Sequence, residues 1–156
     1  MNKRIILSGN EKQQEYAKKK IKLKKALQSK FFFEAIFIEY AIFEDRAESV
    51  LFSAGIKTTN KQGNPLGLSA KLNKIKDRET FQKKYIKKRL SNDLIEEIRV
   101  WKEIRDGLIH DLMNSQLRED ELESTAIKGK ELMDKFDSGV KSVKNYFIKQ
   151  AEVDNK

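Results

Sequence analysis

The only histidine in the 156 residues closes the stretch Arg105-Asp106-Gly107-Leu108-Ile109-His110. Imidazole titrates near neutral pH, so it can take a proton from a hydroxyl or return one to a leaving oxygen. Guanidinium is always charged and forks onto a phosphate through paired hydrogen bonds. Together the two groups could serve acid–base chemistry beside a phosphate. Asp106 stands one helical turn before His110, at i,i+4, where a carboxylate can orient the ring. The chain has no cysteine, which removes disulfides, thiolate metal sites and a cysteine nucleophile. It also has no phosphate-binding glycine loop, nucleophile elbow or zinc-ligand spacing. No metal and no other cofactor is expected.

The helix that must carry this motif opens at Ser91-Asn92-Asp93, with Glu96 and Glu97 close behind, a strong helix start. It is expected to run to about Met113. Its apolar arc holds Leu94, Ile98, Trp101, Ile104, Leu108 and Leu112, with Arg105 in the middle and His110 about 140° round the axis from Arg105. Arg105 is therefore expected to face a seam, and His110 to lie at its edge. The competing reading is structural. In it, Arg105 is satisfied by a buried carboxylate such as Glu39 or Glu97, and His110 is an ordinary surface residue.

A second long helix, about 31–54, forms the core. Phe32, Phe33, Ile36, Tyr40, Phe43, Ala47, Val50 and Leu51 share one arc, continued by Phe31, Ala35 and Ile42. Glu34, Glu44, Asp45 and Glu48 lie opposite. Glu39 and Arg46 fall inside the apolar arc, where a charge is costly unless paired. Either they pair within the fold, or they face the motif's cleft with Glu39 against Arg105. Gly55 ends this helix, and a long loop rich in Gly and Asn follows before short helices at 69–76 and 79–90. The last helix, about 118–150, shows a heptad stripe through Leu122, Ala126, Gly129, Met133, Phe136, Val140, Val143 and Phe147. Asn10 with Gln13 has the form of a capping box for a first, lysine-rich helix to about Gln28. These elements predict an all-α, up-and-down helical bundle of four to five main helices. Residues 1–28 form a basic, peripheral N-terminal helix, 29–150 one bundle domain, and 151–156 a disordered tail.

Net charge is +9, unevenly spread. Residues 1–30 carry +8 and residues 57–91 carry +9, while 31–56 and 92–156 carry −4 each. Basic segments attract phosphate backbones through counterion release. In the second of them Lys83, Lys84, Tyr85, Lys87, Lys88 and Arg89 interleave cations with an aromatic ring, a pattern that suits stacking plus phosphate contact. These six are the expected RNA-binding residues, whereas Phe81 and Ile86 are expected to dock on the core. The alternative is a well-solvated lysine-rich surface.

The motif resembles that of the HEPN superfamily (higher eukaryotes and prokaryotes nucleotide-binding), whose pattern is Arg, then Asn, Asp or His, then His at a spacing of four to six residues. Arg105, Asp106 and His110 fill those places, on a late helix of a small all-α chain. The resemblance implies a metal-independent endoribonuclease of toxin or phage-defence type. It also implies a homodimer in which two copies of the motif line a composite cleft, with RNA as substrate and a cognate antitoxin or partner protein as a further partner. One departure stands out. Some HEPN toxins carry a modified tyrosine two residues after the histidine, and here that place is Leu112. Two other readings need no catalysis: a helical protein-interaction module using the heptad seam, or an RNA-binding accessory protein. No stretch is long enough to span a bilayer, and Ile5–Leu7 is too short an apolar run for a signal peptide, so the expected location is cytoplasmic.

Overall fold

Apolar periodicity builds the bundle around two long helices. The computed structural model describes residues 9–114, 116 and 118–155. Its elements are α1 (Gly9–Gln28), α2 (Phe32–Ser53), α3 (Leu68–Asp77), α4 (Lys84–Arg89), α5 (Asn92–Met113) and α6 (Glu119–Asp154), with a 3-10 turn at Glu79–Phe81 before α4. The architecture is all-α, and no strand occurs among the described residues. None of the described helices is long and apolar enough to cross a membrane.

The most extensive packing joins α2 to α6. The heptad stripe of α6 supplies its side of that contact: Leu122, Ala126, Gly129, Met133, Phe136, Val140 and Val143 are all buried. From α2 come Ile36, Ile42, Phe43, Ala47, Val50 and Leu51, also buried. The Phe43 ring lies 5.0 Å from that of Trp101 on α5 and 5.9 Å from that of Phe136 on α6, centroid to centroid. Three helices therefore meet on one aromatic cluster, and tilted pairs of this kind add about 0.5–1.5 kcal/mol each beyond the area they bury. Phe81 and Ile86 are buried as expected and tie the short 79–89 segment to the core.

The basic N-terminal helix is docked along α2. Leu23 and Ala26 are buried, and Tyr16 and Leu27 pack against the core. A charged clamp reinforces this edge. Lys20 Nζ lies 2.8 Å and Lys141 Nζ 3.0 Å from Asp137 Oδ2, and Arg46 stacks 4.1 Å over the Tyr16 ring. Burial works against the Asp137 charge, but Lys20 and Lys141 prevail and hold its pKa below the ordinary carboxylate value. Gly9 and Asn10 already belong to α1, so Asn10 is not its cap. The rest of the basic N-terminus, 1–8, lies outside the described residues. At the other end α6 continues through Asp154, so 151–154 is helix where a disordered tail was expected.

Two turns share one chemistry. After α2, Ile56 N donates to Leu51 O and Gly55 N to Phe52 O, with Gly55 at φ 71°. After α1, Phe31 N donates to Ala26 O and Lys30 N to Leu27 O, with Lys30 at φ 58°. Both are Schellman stops, but only the first places glycine at the left-handed position. The long loop is bonded to itself: Asn60 Oδ1 accepts from the backbone N of Gln62 and of Asn64, and Leu66 N donates to Thr58 O.

Lys30→Gly is therefore expected to stabilise the fold by about 1 kcal/mol, by removing the left-handed penalty of a side chain. Gly55→Ala is expected to destabilise it by a similar amount. Urea unfolding midpoints at unchanged slope check both.

Candidate functional site

Ser91 caps α5, its Oγ accepting from Leu94 N at 3.1 Å. Midway along the helix the Trp101 indole N–H donates to Thr125 O of α6 at 2.9 Å, fixing α5 in rotation. That rotation decides where the motif points. Arg105 is turned onto α2, its guanidinium 4.1 Å over the Tyr40 ring and 5.3 Å from the centroid of Phe37. Its Nη1 donates to Asp106 Oδ1 at 2.8 Å, and its side chain is only 15% exposed. Its buried Nε finds no acceptor among the described residues. The expected seam position of Arg105 is what the structure has, and the seam is lined by aromatic rings.

His110 faces the other way. Its side chain is 78% exposed, with Nδ1 3.3 Å from Asn114 Nδ2 and 3.9 Å from Asp111 Oδ1. Asp106 does not orient it, contrary to the i,i+4 expectation. The Asp106 carboxylate instead binds Arg105 on one oxygen and Lys102 Nζ at 2.6 Å on the other. Burial would raise the Asp106 pKa, but those two cations outweigh it and lower it. Lys102 and Arg105 between them take both oxygens of the carboxylate through charge-assisted hydrogen bonds. Ile104 and Leu112, expected in the apolar arc, are exposed, as is Met113 beside them. The end of α5 that carries the motif thus presents an apolar margin that none of the described residues covers.

Glu39 and Arg46 do not join this site, and they do not pair with each other. Glu39 is fully buried against α6, and neither carboxyl oxygen has a hydrogen-bond partner among the described residues. A Cβ on Gly129 would lie 2.0 Å from Glu39 Oε2 and 2.8 Å from Trp101 Nε1, so the glycine is the slot that admits both groups. Burial, partly offset by Lys130, pushes the Glu39 pKa up to about 9. The group is a neutral acid at pH 7. Arg46 turns to Asp45 at 2.7 Å and toward Asp137 at 3.9 Å. One residue along a helix is about 100°, which separates Glu39 from the Tyr40 face that holds Arg105. The expected Glu39–Arg105 contact is therefore overturned.

The basic segment forms a second surface at the far end of α6. Tyr85 stacks on Tyr146 at 5.2 Å and 28°, Arg89 lies 5.6 Å over Tyr85, and Lys83 5.5 Å over Tyr146. Lys84 and Lys88 are exposed beside them. Lys87 is the exception: its Nζ donates to Lys76 O and Asn92 Oδ1, and burial lowers its pKa. Close approach at Gly139, where a Cβ would lie 2.5 Å from Arg89 O, seats this platform on α6. His110 lies 18 residues beyond Asn92, where α5 begins after α4, so roughly 27 Å of helix separates it from the platform.

Sequence reasoning missed two positioning groups. Phe37 and Tyr40 form the shelf for Arg105, and an i,i+3 aromatic pair on the face away from Glu39 was the available signal. Glu44 and Glu48 are not merely solvated, since the buried Lys71 of α3 reaches them at 2.6 and 3.8 Å. Lys71 inside the stripe Leu68, Lys71, Leu72, Ile75 was its mark.

The Glu39 environment sets a pH test. Its folded pKa lies above the unfolded value, so its stabilising share is complete below about pH 4.5 and drains away as pH rises toward 9. Glu39→Gln is expected to flatten that fall: urea midpoints of variant and wild type should diverge progressively from pH 5 to 9. Gly129→Ala should cost about 1–3 kcal/mol by overpacking. Comparison with protein-family models, with curated proteins and with solved structures returned no match.

Proposed function

We propose that this chain is a HEPN-like, metal-independent endoribonuclease of toxin or phage-defence type that acts as a homodimer. The observation that carries the reading is the motif end of α5. There an immobilised guanidinium and a solvent-open imidazole lie on one helix, beside uncovered Leu112 and Met113. One chain offers a single imidazole, whereas transesterification needs a base and an acid. In the proposed dimer, one His110 takes the proton of a ribose 2′-hydroxyl as that oxygen attacks phosphorus. The partner's imidazole, protonated, gives a proton to the departing 5′-oxygen. The products are a 2′,3′-cyclic phosphate and a 5′-hydroxyl. Arg105, held in one orientation by Tyr40 and Asp106, supports the charge that builds on phosphate. The platform of Tyr85, Lys83, Lys84, Lys88 and Arg89 would hold RNA away from the cut, with Lys87 bracing it from beneath.

A second reading has its own support. Arg105 is already engaged by Asp106, and Asp106 does not orient His110. Both facts suit a non-catalytic RNA-binding or protein-interaction module.

Incubation of labelled single-stranded RNA with the protein in EDTA decides between them. Cleavage is expected, leaving cyclic-phosphate ends. It should fall by a hundredfold or more in His110→Ala and comparably in Arg105→Ala, with circular dichroism unchanged. Light scattering should report a dimer. An inert wild type that still binds RNA with a steep salt dependence would establish the second reading instead, whereas a fully active His110→Ala would overturn the acid–base role of His110.

A further inference from the structure

The Tyr85 and Tyr146 rings lie on each other, 5.2 Å apart and tilted by 28°. The Arg89 guanidinium is over Tyr85 at 5.6 Å and the Lys83 ammonium over Tyr146 at 5.5 Å, one cation to each ring. Phe147 adds an edge contact to Tyr146 at 5.9 Å. A phenol ring has two faces, and each ring here already carries a second ring and a cation. A base stacking on either one would compete with groups of the chain itself. The interleaving of aromatic and basic residues is thus used within the protein: the rings back the cations, which the ring quadrupole attracts.

The cations themselves are left without counter-charges. Lys83, Lys84, Lys88 and Arg89 are all exposed, and no carboxylate among the described residues pairs with any of them. Lys84 and Lys88 stand one helical turn apart, on the same face of α4. The close approach of Arg89 O to Gly139 holds the segment against α6. Four unpaired cations on a seated segment, with their rings already occupied, suit phosphate and not a base. Phosphates are common to every strand and every sequence. We infer that this surface grips the phosphodiester backbone alone: it stacks no base, and it takes duplexes as well as single strands, DNA included. The inference rests on the reading of this platform as a nucleic-acid surface, and not on cleavage at His110.

DNA has no 2′-hydroxyl, so it reports binding without cleavage by the proposed route. The full chain is titrated, by fluorescence anisotropy, into three labelled probes of equal length: a mixed-sequence DNA strand, an abasic strand on the same backbone, and a DNA duplex. The complete and abasic strands are expected to bind within about twofold of each other, since a single stacked base would separate them by about fivefold or more. The duplex, with its denser charge, should bind at least as tightly as the strand. Lys84→Gln with Lys88→Gln, both at exposed positions, should weaken every probe about tenfold or more and make the salt dependence of strand binding shallower by about 1.4 in log–log slope. Tyr85→Leu should weaken all three probes alike, by releasing Arg89. A complete strand that outbinds the abasic one by fivefold or more, and loses that margin in Tyr85→Leu, would overturn the inference and leave the nucleic-acid reading standing. So would a protein that holds the strands and rejects the duplex. No binding to any probe, or no effect of the Lys84 and Lys88 changes, would overturn the nucleic-acid reading of the platform together with the inference.

Discussion

Everything at the motif end of the molecule depends on how closely α6 can approach α2 and α5 at Gly129. With no side chain there, the Glu39 carboxyl and the Trp101 indole N–H both fit against the helix backbone. Trp101 then reaches Thr125 O, and its ring reaches Phe43. That pair of contacts fixes the rotation of α5. Arg105, four residues along, consequently arrives over Tyr40, and His110 is carried round to solvent. A methyl group at 129 would disturb the core contact first and the motif's aim second, although it touches neither motif residue.

Buried charge is handled in two different ways in this fold. Lys71 and Asp137 are met by opposite charges: Lys71 by Glu44 and Glu48 of α2, and Asp137 by Lys20 of α1 and by Lys141 one turn along α6 itself. Each pair also ties two helices together, α3 to α2 and α1 to α6. Glu39 has no such partner among the described residues, and burial keeps its proton on instead. A neutral acid in an apolar slot costs less than a naked carboxylate, but it still lacks hydrogen bonds. Its presence beside a glycine on the facing helix means that the two positions are coupled, and neither can be changed without the other registering it.

The fold was largely legible in the sequence, because periodicity reports which face of a helix is apolar. The α6 stripe, the Ser91 cap, the Gly55 stop and the burial of Phe81 and Ile86 all follow from local patterns. What periodicity cannot report is the identity of the neighbour. Glu39 and Arg46 share the apolar arc of α2, yet they part to different helices, because α6 covers one and α1 with Asp137 meets the other. Ile104 and Leu112 belong to the apolar arc of α5 as surely as Leu108 does, but none of the described residues covers them. Asp106 is correctly spaced for His110, and loses that role because Lys102 and Arg105 take its two oxygens. The motif residues could be named from sequence, whereas their partners depended on tertiary contacts.

The separation of the two candidate surfaces bears on how RNA would have to be used. The stacked pair Tyr85–Tyr146 and its cations lie at one end of the α5/α6 pair, and His110 lies at the other. Electrostatic capture at the first end is insensitive to base sequence, since phosphate contacts carry no sequence information. Selection of the scissile bond would then fall to the motif end, where the only fixed groups are the guanidinium on its aromatic shelf and whatever a second chain brings. The His110 ring meets only Asn114 and Asp111 near its own end of α5 among the described residues, so under the ribonuclease reading its productive orientation would come from that second surface. Under the ribonuclease reading, dimer formation is therefore the step that builds the site rather than one that merely doubles it. An isolated chain would hold RNA by charge and leave it intact.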